Sequence, residues 1–231
     1  MERFKQAVDV CGELDLLVVP VIFNRWTGNP SWDEVTEAEL RSDFDTVLAP
    51  YVNDLVTSMK GDRRILAWDL CNEPPLVAGE VDWLGRIQRR VKQVDPQALT
   101  CIGTVTVEQT RAVASLQDIL TPHLYNQFLP RIAEYSQLAH EVGKPMMSTE
   151  CCWGSLDDAD RVRRIVENLS VLRQRKIGFF PHALQESCVA DLHRPQYGPV
   201  GDPGYMAFVQ MDGSLRPGHE IYNEFTKPVS P

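Results

Sequence analysis

The chain has 231 residues, of which 43% are hydrophobic and 24% are charged, so the composition predicts one soluble globular domain and excludes a disordered or fibrous chain. Its 23 lysines and arginines against 32 aspartates and glutamates give a net charge of −9, which disfavours nucleic acid and anionic lipid as partners. The longest apolar stretch, residues 14–23, contains Asp15 and Pro20 and is shorter than the roughly 20 residues that a membrane span needs. We therefore expect no membrane partner.

The cysteines and the first residues favour the cytoplasm. No two of the six cysteines have the C-x-x-C spacing of zinc ribbons and redox motifs. We therefore expect free thiols packed in the core and no metal site built from them. No apolar core follows residues 1–6, so no secretory signal is visible, and a reducing, cytoplasmic compartment is the resulting expectation.

Apolar runs alternate with amphipathic stretches along the whole chain. Phe4, Val8 and Cys11 lie on one helical face, so the chain is expected to begin with a helix. Buried strands are predicted at residues 16–23, 65–71, 99–103, 119–124, 145–149 and 177–180. Apolar residues at helical spacing lie between these strands, for example at 84–94 and 165–172.

This alternation predicts a single α/β domain over residues 1–231 with a parallel sheet. The sheet is either doubly wound or closed as a (β/α) barrel, and the periodicity does not choose between them. A doubly wound nucleotide-binding fold has a glycine-rich turn after an early strand, and the sequence has none.

Two glutamates stand at the carboxyl ends of predicted strands. Glu73 ends the second strand, directly before Pro74, and Glu150 ends the fifth. On the strand between them, His123 and Tyr125 point to the same face because side chains alternate along a strand. Glycoside hydrolysis needs two carboxylic groups, one that donates a proton to the leaving oxygen and one that attacks the sugar or activates water.

Three motifs occur in the order and spacing of a known group of enzymes. Residues 70–74 (Leu-Cys-Asn-Glu-Pro), 123–125 (His-Leu-Tyr) and 148–150 (Ser-Thr-Glu) resemble strands four, six and seven of the clan A glycoside hydrolases, most closely family 5. The resemblance covers about residues 1–226. It implies a (β/α) TIM barrel that is entered at the helix before the family's third strand, so that six parallel strands are expected.

The resemblance also implies a retaining mechanism and a role for each motif residue. By this carry-over Glu73 is the general acid/base and Glu150 is the nucleophile. Asn72 donates a hydrogen bond to the sugar 2-hydroxyl. Tyr125 hydrogen-bonds the nucleophile, and His123 lines the subsite where cleavage occurs.

The chain departs from the family pattern at several positions. Asn24 or a neighbour stands where the family often has a histidine, and His182 stands where the family places a tryptophan under the sugar. The family's first two strands, with an arginine from the second, have no counterpart. Aromatic rings that follow strand ends are candidate sugar platforms, chiefly Trp153 and also Trp26.

The sequence thus favours a retaining β-glycosidase of the cellulase or mannanase type that acts on glucan- or mannan-type carbohydrate and needs no metal or cofactor. One alternative is a carbohydrate-binding protein on a degenerate barrel that has lost turnover. Another is a metal-dependent hydrolase that uses Asp69, His123 and His182. Because missing strands would leave open sheet edges, we also expect a homo-oligomer whose interface covers them.

Overall fold

Helices and short strands alternate along the residues that the computed structural model describes, which are 1–24, 44–76, 78–184, 207–210 and 212–227. The chain divides into two compact units. The first consists of Met1–Thr121 and Val142–Pro145, and the second of Pro122–Glu141 and Met146–Pro231. The alternation of strands and helices that the sequence predicts is present in the described residues.

The first unit holds the predicted opening helix and the motif around Glu73. Its described helices are α1 (Glu2–Glu13), a π-helical segment (Phe44–Leu48), α2 (Ala49–Ser58), α3 (Glu80–Val94), α4 (Val107–Ala112) and a 3-10 turn (Ala114–Leu116). Its described strands are β1 (Trp68–Asp69), β2 (Thr100–Cys101) and β3 (Gly103–Thr104). Of β4 (Thr121–Pro122), Thr121 belongs to the first unit and Pro122 to the second.

The core of the first unit is formed by the apolar faces of these helices. In α3, Leu84, Ile87 and Val91 are fully buried, as their helical spacing predicts. The ring of Phe4 from α1 packs at 6.2 Å from that of Trp68. Burial of such side chains contributes roughly 1.5–3 kcal/mol each, so helix packing is the main support of the short strands.

β1 and β2 pair in parallel, with Trp68 opposite Thr100 and Asp69 opposite Cys101. The predicted strand at residues 16–23 forms only isolated parallel bridges, among them Val21 with Asp69. The expectation of a continuous buried strand there is wrong. Pro20 lacks an N–H group and therefore cannot donate to a ladder, although its carbonyl accepts from the Asp69 N–H at 2.9 Å.

Apolar side chains along residues 14–21 are between half and two-thirds exposed: Leu14, Leu16, Leu17 and Val21. They lie where the sequence predicts an uncovered sheet edge. Assembly of the chain into a homo-oligomer stays a prediction.

The second unit holds the motifs around Tyr125 and Glu150. After the end of β4 its described elements are a 3-10 helix (Asn126–Arg131), α5 (Ile132–Val142, whose last residue belongs to the first unit), β5 (Met147–Cys151), α6 (Asp158–Gln174), β6 (Gly178–Pro181), a 3-10 turn (His219–Ile221) and α7 (Tyr222–Thr226). β5 and β6 pair in parallel, with an irregular register between Ser148 and Cys151. Leu124 forms a further parallel bridge with Cys151.

α6 begins at an N-cap residue, Asp157. The Asp157 carboxylate accepts from the Asp160 N–H at 2.7 Å, which satisfies one of the free donors of the first turn. Ile165, Leu169 and Leu172 form its buried stripe, as predicted.

The described cysteines are free thiols, as expected, and four of the five are buried. Cys151 and Cys152 are neighbours with their sulfur atoms 3.6 Å apart. Burial, together with the adjacent Cys152 thiol, raises the pKa of the Cys151 thiol well above its usual value. Cys151 is therefore in the environment of a core residue. Cys188 lies outside the described residues.

Among the described residues, none of the helices combines the length and the apolar character that crossing a membrane would take.

The partly buried carboxylate of Asp118 connects α3 to β2 in the first unit. Asp118 Oδ2 accepts from Lys92 Nζ at 2.8 Å and from both the backbone N–H and the hydroxyl of Thr100. Partial burial raises the pKa of the Asp118 carboxyl, but the hydrogen bonds from Lys92 and Thr100 lower it by more, so this pKa lies below its usual value.

We predict that Asp118→Asn lowers the free energy of unfolding by roughly 1–2 kcal/mol at pH 7, because charge-assisted hydrogen bonds are lost. A carboxyl whose pKa is lowered by folding stabilises above its unfolded pKa of about 3.9 and loses that effect as pH falls through the folded value. The difference between wild type and variant in urea unfolding should therefore shrink below about pH 4.

Asp45→Asn is the matched control, because Asp45 pairs with Arg86 at the surface and is three-quarters exposed. We expect it to change stability by less than about 0.5 kcal/mol. Equal effects of the two substitutions would contradict the structural role of Asp118.

Candidate active site

The carboxylate of Glu150 is the centre of a polar cluster in the second unit. Tyr125 Oη donates to Glu150 Oε2 at 2.5 Å. His123 Nδ1 lies 3.4 Å from the same oxygen, and the His123 side chain is only 1% exposed. The Glu150 side chain is 23% exposed. The carboxylate is therefore held on one oxygen while the group as a whole remains within reach of a ligand.

Rings stand edge to face around Tyr125. The centroid of Trp153 lies 5.3 Å from that of Tyr125, with 85° between the planes. His182 lies at 6.1 Å and 82°, and His123 at 6.5 Å and 87°. Edge-to-face pairs of this kind are favourable, so these contacts hold the Tyr125 ring and direct its hydroxyl to Glu150.

A buried hydroxyl connects the two backbone segments below the cluster. Ser148 Oγ accepts from the Leu124 N–H at 3.0 Å and donates to the Glu150 carbonyl oxygen at 2.7 Å. The first bond anchors the residue before Tyr125, and the second anchors Glu150 itself. Ser148 thus sets the spacing between the two chain segments.

Asparagines from the segment after Tyr125 and from α6 complete this backbone framework. Asn126 Oδ1 accepts from the Trp153 N–H at 3.0 Å. Asn168 Nδ2 donates to the Leu124 carbonyl oxygen at 2.8 Å. The residues on either side of Tyr125 are therefore both hydrogen-bonded to neighbouring segments.

In the first unit, the segment that carries Glu73 is held by its backbone. Asn72 N donates to the Phe23 carbonyl at 2.8 Å, and Glu73 N donates to that of Gly103 at 2.9 Å. Asn72 Nδ2 also donates to Asn24 Oδ1 at 3.1 Å. Glu73 has a φ of 45°, a left-handed conformation that costs energy for a residue other than glycine and is often found at functional sites.

Asp69, a ligand in the metal-dependent alternative, is a structural residue in the first unit. It is 2% exposed, and its carboxylate accepts from the N–H groups of Cys71 at 3.1 Å and Gly103 at 3.2 Å. These bonds hold the turn that leads to Glu73 against the neighbouring strand.

The structure brings the predicted site residues together in two groups. Those in the second unit are His123, Tyr125, Glu150, Trp153 and His182. Those in the first unit are Asn24, Asn72 and Glu73. Trp26 lies outside the described residues.

The supporting roles of Ser148, Asn126 and Asn168 were not predicted from the sequence. Asn168 carries a detectable signal, because it falls on the buried stripe of α6 between Ile165 and Leu169. A polar side chain on such a stripe must find hydrogen-bond partners inside the protein. Asn126 and Ser148 stand out less, because their partners are distant in sequence and only the folded chain brings them close.

In fold, the chain is similar to TIM-barrel glycoside hydrolases. No protein-family model matches the chain, and no curated protein does. Among solved structures, it is similar to a GH2 β-galacturonidase from Eisenbergiella tayi bound to galacturonate, with 14% identity and a TM-score of 0.72 over 94% of this chain. The chain spans about two fifths of that protein's length, 41%.

This chain covers a larger share of two further solved structures. A GH10 endoxylanase from a sugarcane soil metagenome is 15% identical, with a TM-score of 0.66 over 98% of this chain and 82% of the other. An endo-1,4-β-D-mannanase from Thermotoga petrophila is 16% identical, with a TM-score of 0.61 over 78% and 67%. At these identities, the similarity shows a shared fold.

We predict that Ser148→Ala lowers the free energy of unfolding by about 1–3 kcal/mol, because it leaves the buried Leu124 N–H without its acceptor. Urea unfolding followed by tryptophan fluorescence measures this change. Ser136→Ala is the control, since the Ser136 hydroxyl donates to the Ile132 carbonyl within α5 and supports no other segment. A loss no larger than that of the control would show that Ser148 does not connect the two segments.

Proposed function

We propose that this chain carries the active site of a retaining glycoside hydrolase that cleaves β-linked glucan- or mannan-type carbohydrate, with Glu150 as nucleophile and Glu73 as general acid/base. The observation that carries the proposal is the Glu150 carboxylate, which accepts a hydrogen bond from Tyr125 beside a buried histidine and remains partly exposed. The fold shared with glycoside hydrolases supports it. The finer assignment to clan A, closest to family 5, rests on the three motifs.

The proposed first step forms a covalent intermediate. Glu150 attacks the anomeric carbon of the sugar while Glu73 donates its proton to the departing glycosidic oxygen. The bond between the anomeric carbon and that oxygen breaks, and an ester between the sugar and Glu150 forms. The Tyr125 hydroxyl keeps the carboxylate oriented for this attack, which lowers the entropic part of the barrier.

The second step returns the enzyme to its starting state. Glu73, now ionised, takes a proton from water, and the resulting oxygen attacks the anomeric carbon and releases Glu150. Because two inversions occur, the product keeps the β configuration. The proposal requires no metal or cofactor.

The remaining site residues are assigned to sugar binding. Trp153 stands beside Tyr125 and offers an apolar ring face on which a pyranose can stack. His182 flanks the same tyrosine and provides a hydrogen-bonding group for sugar hydroxyls. His123, which is buried beside Glu150, is assigned to the lining of the subsite where cleavage occurs. Asn72, supported by Asn24, is assigned to the 2-hydroxyl.

We predict that Glu150→Gln lowers the hydrolysis of aryl β-glycosides and β-glucans by at least about 10³-fold, because an amide cannot replace the nucleophilic carboxylate. Released aglycone and reducing ends measure the rate across a panel of gluco- and manno-configured substrates. Glu134→Gln is the matched control, since Glu134 pairs with Arg131 on the surface of α5. It should retain the wild-type rate.

Inactivity of the folded wild type across the panel would overturn the proposal. In that case, measurable binding of the same oligosaccharides would favour the alternative of a carbohydrate-binding protein without turnover.

The role of Glu73 is tested by the leaving group. We predict that Glu73→Gln slows the hydrolysis of glycosides with a poorly acidic alcohol by about 10²–10⁴-fold, because the leaving oxygen then receives no proton. Bond cleavage with a dinitrophenolate leaving group needs little proton transfer, so its burst of release should be far less affected. Equal loss for both substrates would contradict the assignment of Glu73 as the acid.

A further inference from the structure

Asn168 is a buried amide on a helix face that is otherwise apolar. It is 0% exposed and lies on α6 with Ile165 and Leu169 on the same stripe. Asparagine is a poorer helix former than leucine, and burying an amide costs energy unless its hydrogen bonds are satisfied. The partners of Asn168 therefore indicate what this residue contributes.

Its partners all belong to the two segments that lead to the site. Asn168 Nδ2 donates to the Leu124 carbonyl oxygen at 2.8 Å and lies 3.4 Å from Asn126 Oδ1. The Cys152 thiol lies 3.9 Å from Asn168 Oδ1, within the range of a weak sulfur hydrogen bond. One amide thus contacts the residues on both sides of Tyr125 and a residue that follows Glu150.

Asn126 extends this arrangement to Trp153. Asn126 Oδ1 accepts from the Trp153 N–H at 3.0 Å, and its Nδ2 donates to the Arg164 carbonyl of α6 at 3.0 Å. The backbone on either side of Tyr125 is therefore fixed to α6 by two amides. These bonds join the two amides to the backbone of Leu124, Trp153 and α6, so they act on the pair of Tyr125 and Glu150 through the backbone.

The hydrogen bond from Tyr125 to Glu150 depends on this placement. At 2.5 Å it is short, and displacing the tyrosine backbone by about 1 Å would remove it or misdirect it. The edge-to-face contact with Trp153 holds the ring of the tyrosine. The carbonyl of Leu124, one residue before the tyrosine, is the point at which Asn168 of α6 holds its backbone.

We infer that Asn168 is a positioning residue for the reaction: it holds Leu124 and Asn126 so that the Tyr125 hydroxyl meets the Glu150 carboxylate. The inference rests on the proposed glycoside hydrolase function. Asn168 does not touch the reacting atoms in this account.

The test is a double-mutant cycle of Asn168→Leu and Tyr125→Phe. Leucine suits the apolar stripe of α6 but cannot donate to Leu124. In the wild-type background, we expect Asn168→Leu to lower kcat by about 10–100-fold and to change KM much less. In the Tyr125→Phe background the same substitution should lower kcat by less than about threefold, because the hydroxyl that it positions is already absent.

A second variant guards against a general folding defect. Asn168→Ala removes the same N–H donor without adding volume or charge, so it should show the same coupling to Tyr125→Phe. Val166→Ala, at an exposed position on the same helix, is the control and should leave kcat unchanged. Thermal unfolding of each variant is measured alongside.

The outcomes separate this inference from the function on which it rests. Equal fold losses of kcat in the two backgrounds, or an unchanged kcat in Asn168→Leu, would overturn the positioning role while leaving the hydrolase proposal intact. An inactive, folded wild type would overturn the hydrolase proposal itself.

Discussion

The hydrogen bond from Tyr125 to Glu150 is the contact on which the proposed chemistry of the second unit depends. Its two partners are 25 residues apart in sequence and come from neighbouring segments. The parallel bridge between Leu124 and Cys151 aligns these segments, and Ser148 fixes their spacing from within the sheet. A carboxylate that is held in this way does not have to reorganise when a ligand arrives, and this is the property that a nucleophile at an anomeric carbon needs.

The glutamate of the first unit is held by different means. Glu73 is placed by its own backbone N–H, by a left-handed φ and by the turn that buried Asp69 supports. An acid/base group must change its protonation state twice in each turnover, whereas a nucleophile must stay ionised until it attacks. In the proposed mechanism Glu73 takes the first role, and Glu150, which the Tyr125 hydroxyl orients, takes the second.

Much of this could be predicted from the sequence, because alternation along a strand and the polarity of strand ends are local properties. They place His123 and Tyr125 on one face and put Glu150 near the end of a strand. The interrupted segment at 16–23 could not be anticipated from its apolar composition, since the effect of Pro20 depends on which carbonyls and N–H groups face it. The bonds of Asn168 lie beyond sequence reasoning for a similar cause: they join residues 42–44 positions apart, and only the packing of α6 brings them together.

The most direct test of the account is covalent labelling of the nucleophile. A 2-deoxy-2-fluoro glycoside with a good leaving group destabilises the positive charge of both transition states, so a retaining enzyme forms its glycosyl ester and releases it slowly. Incubation with gluco- and manno-configured reagents, followed by peptide mass spectrometry, should find one fluorosugar per chain on Glu150. Labelling of any other residue by these reagents, or release of the leaving group without any adduct, would contradict the assignment of Glu150 as the nucleophile.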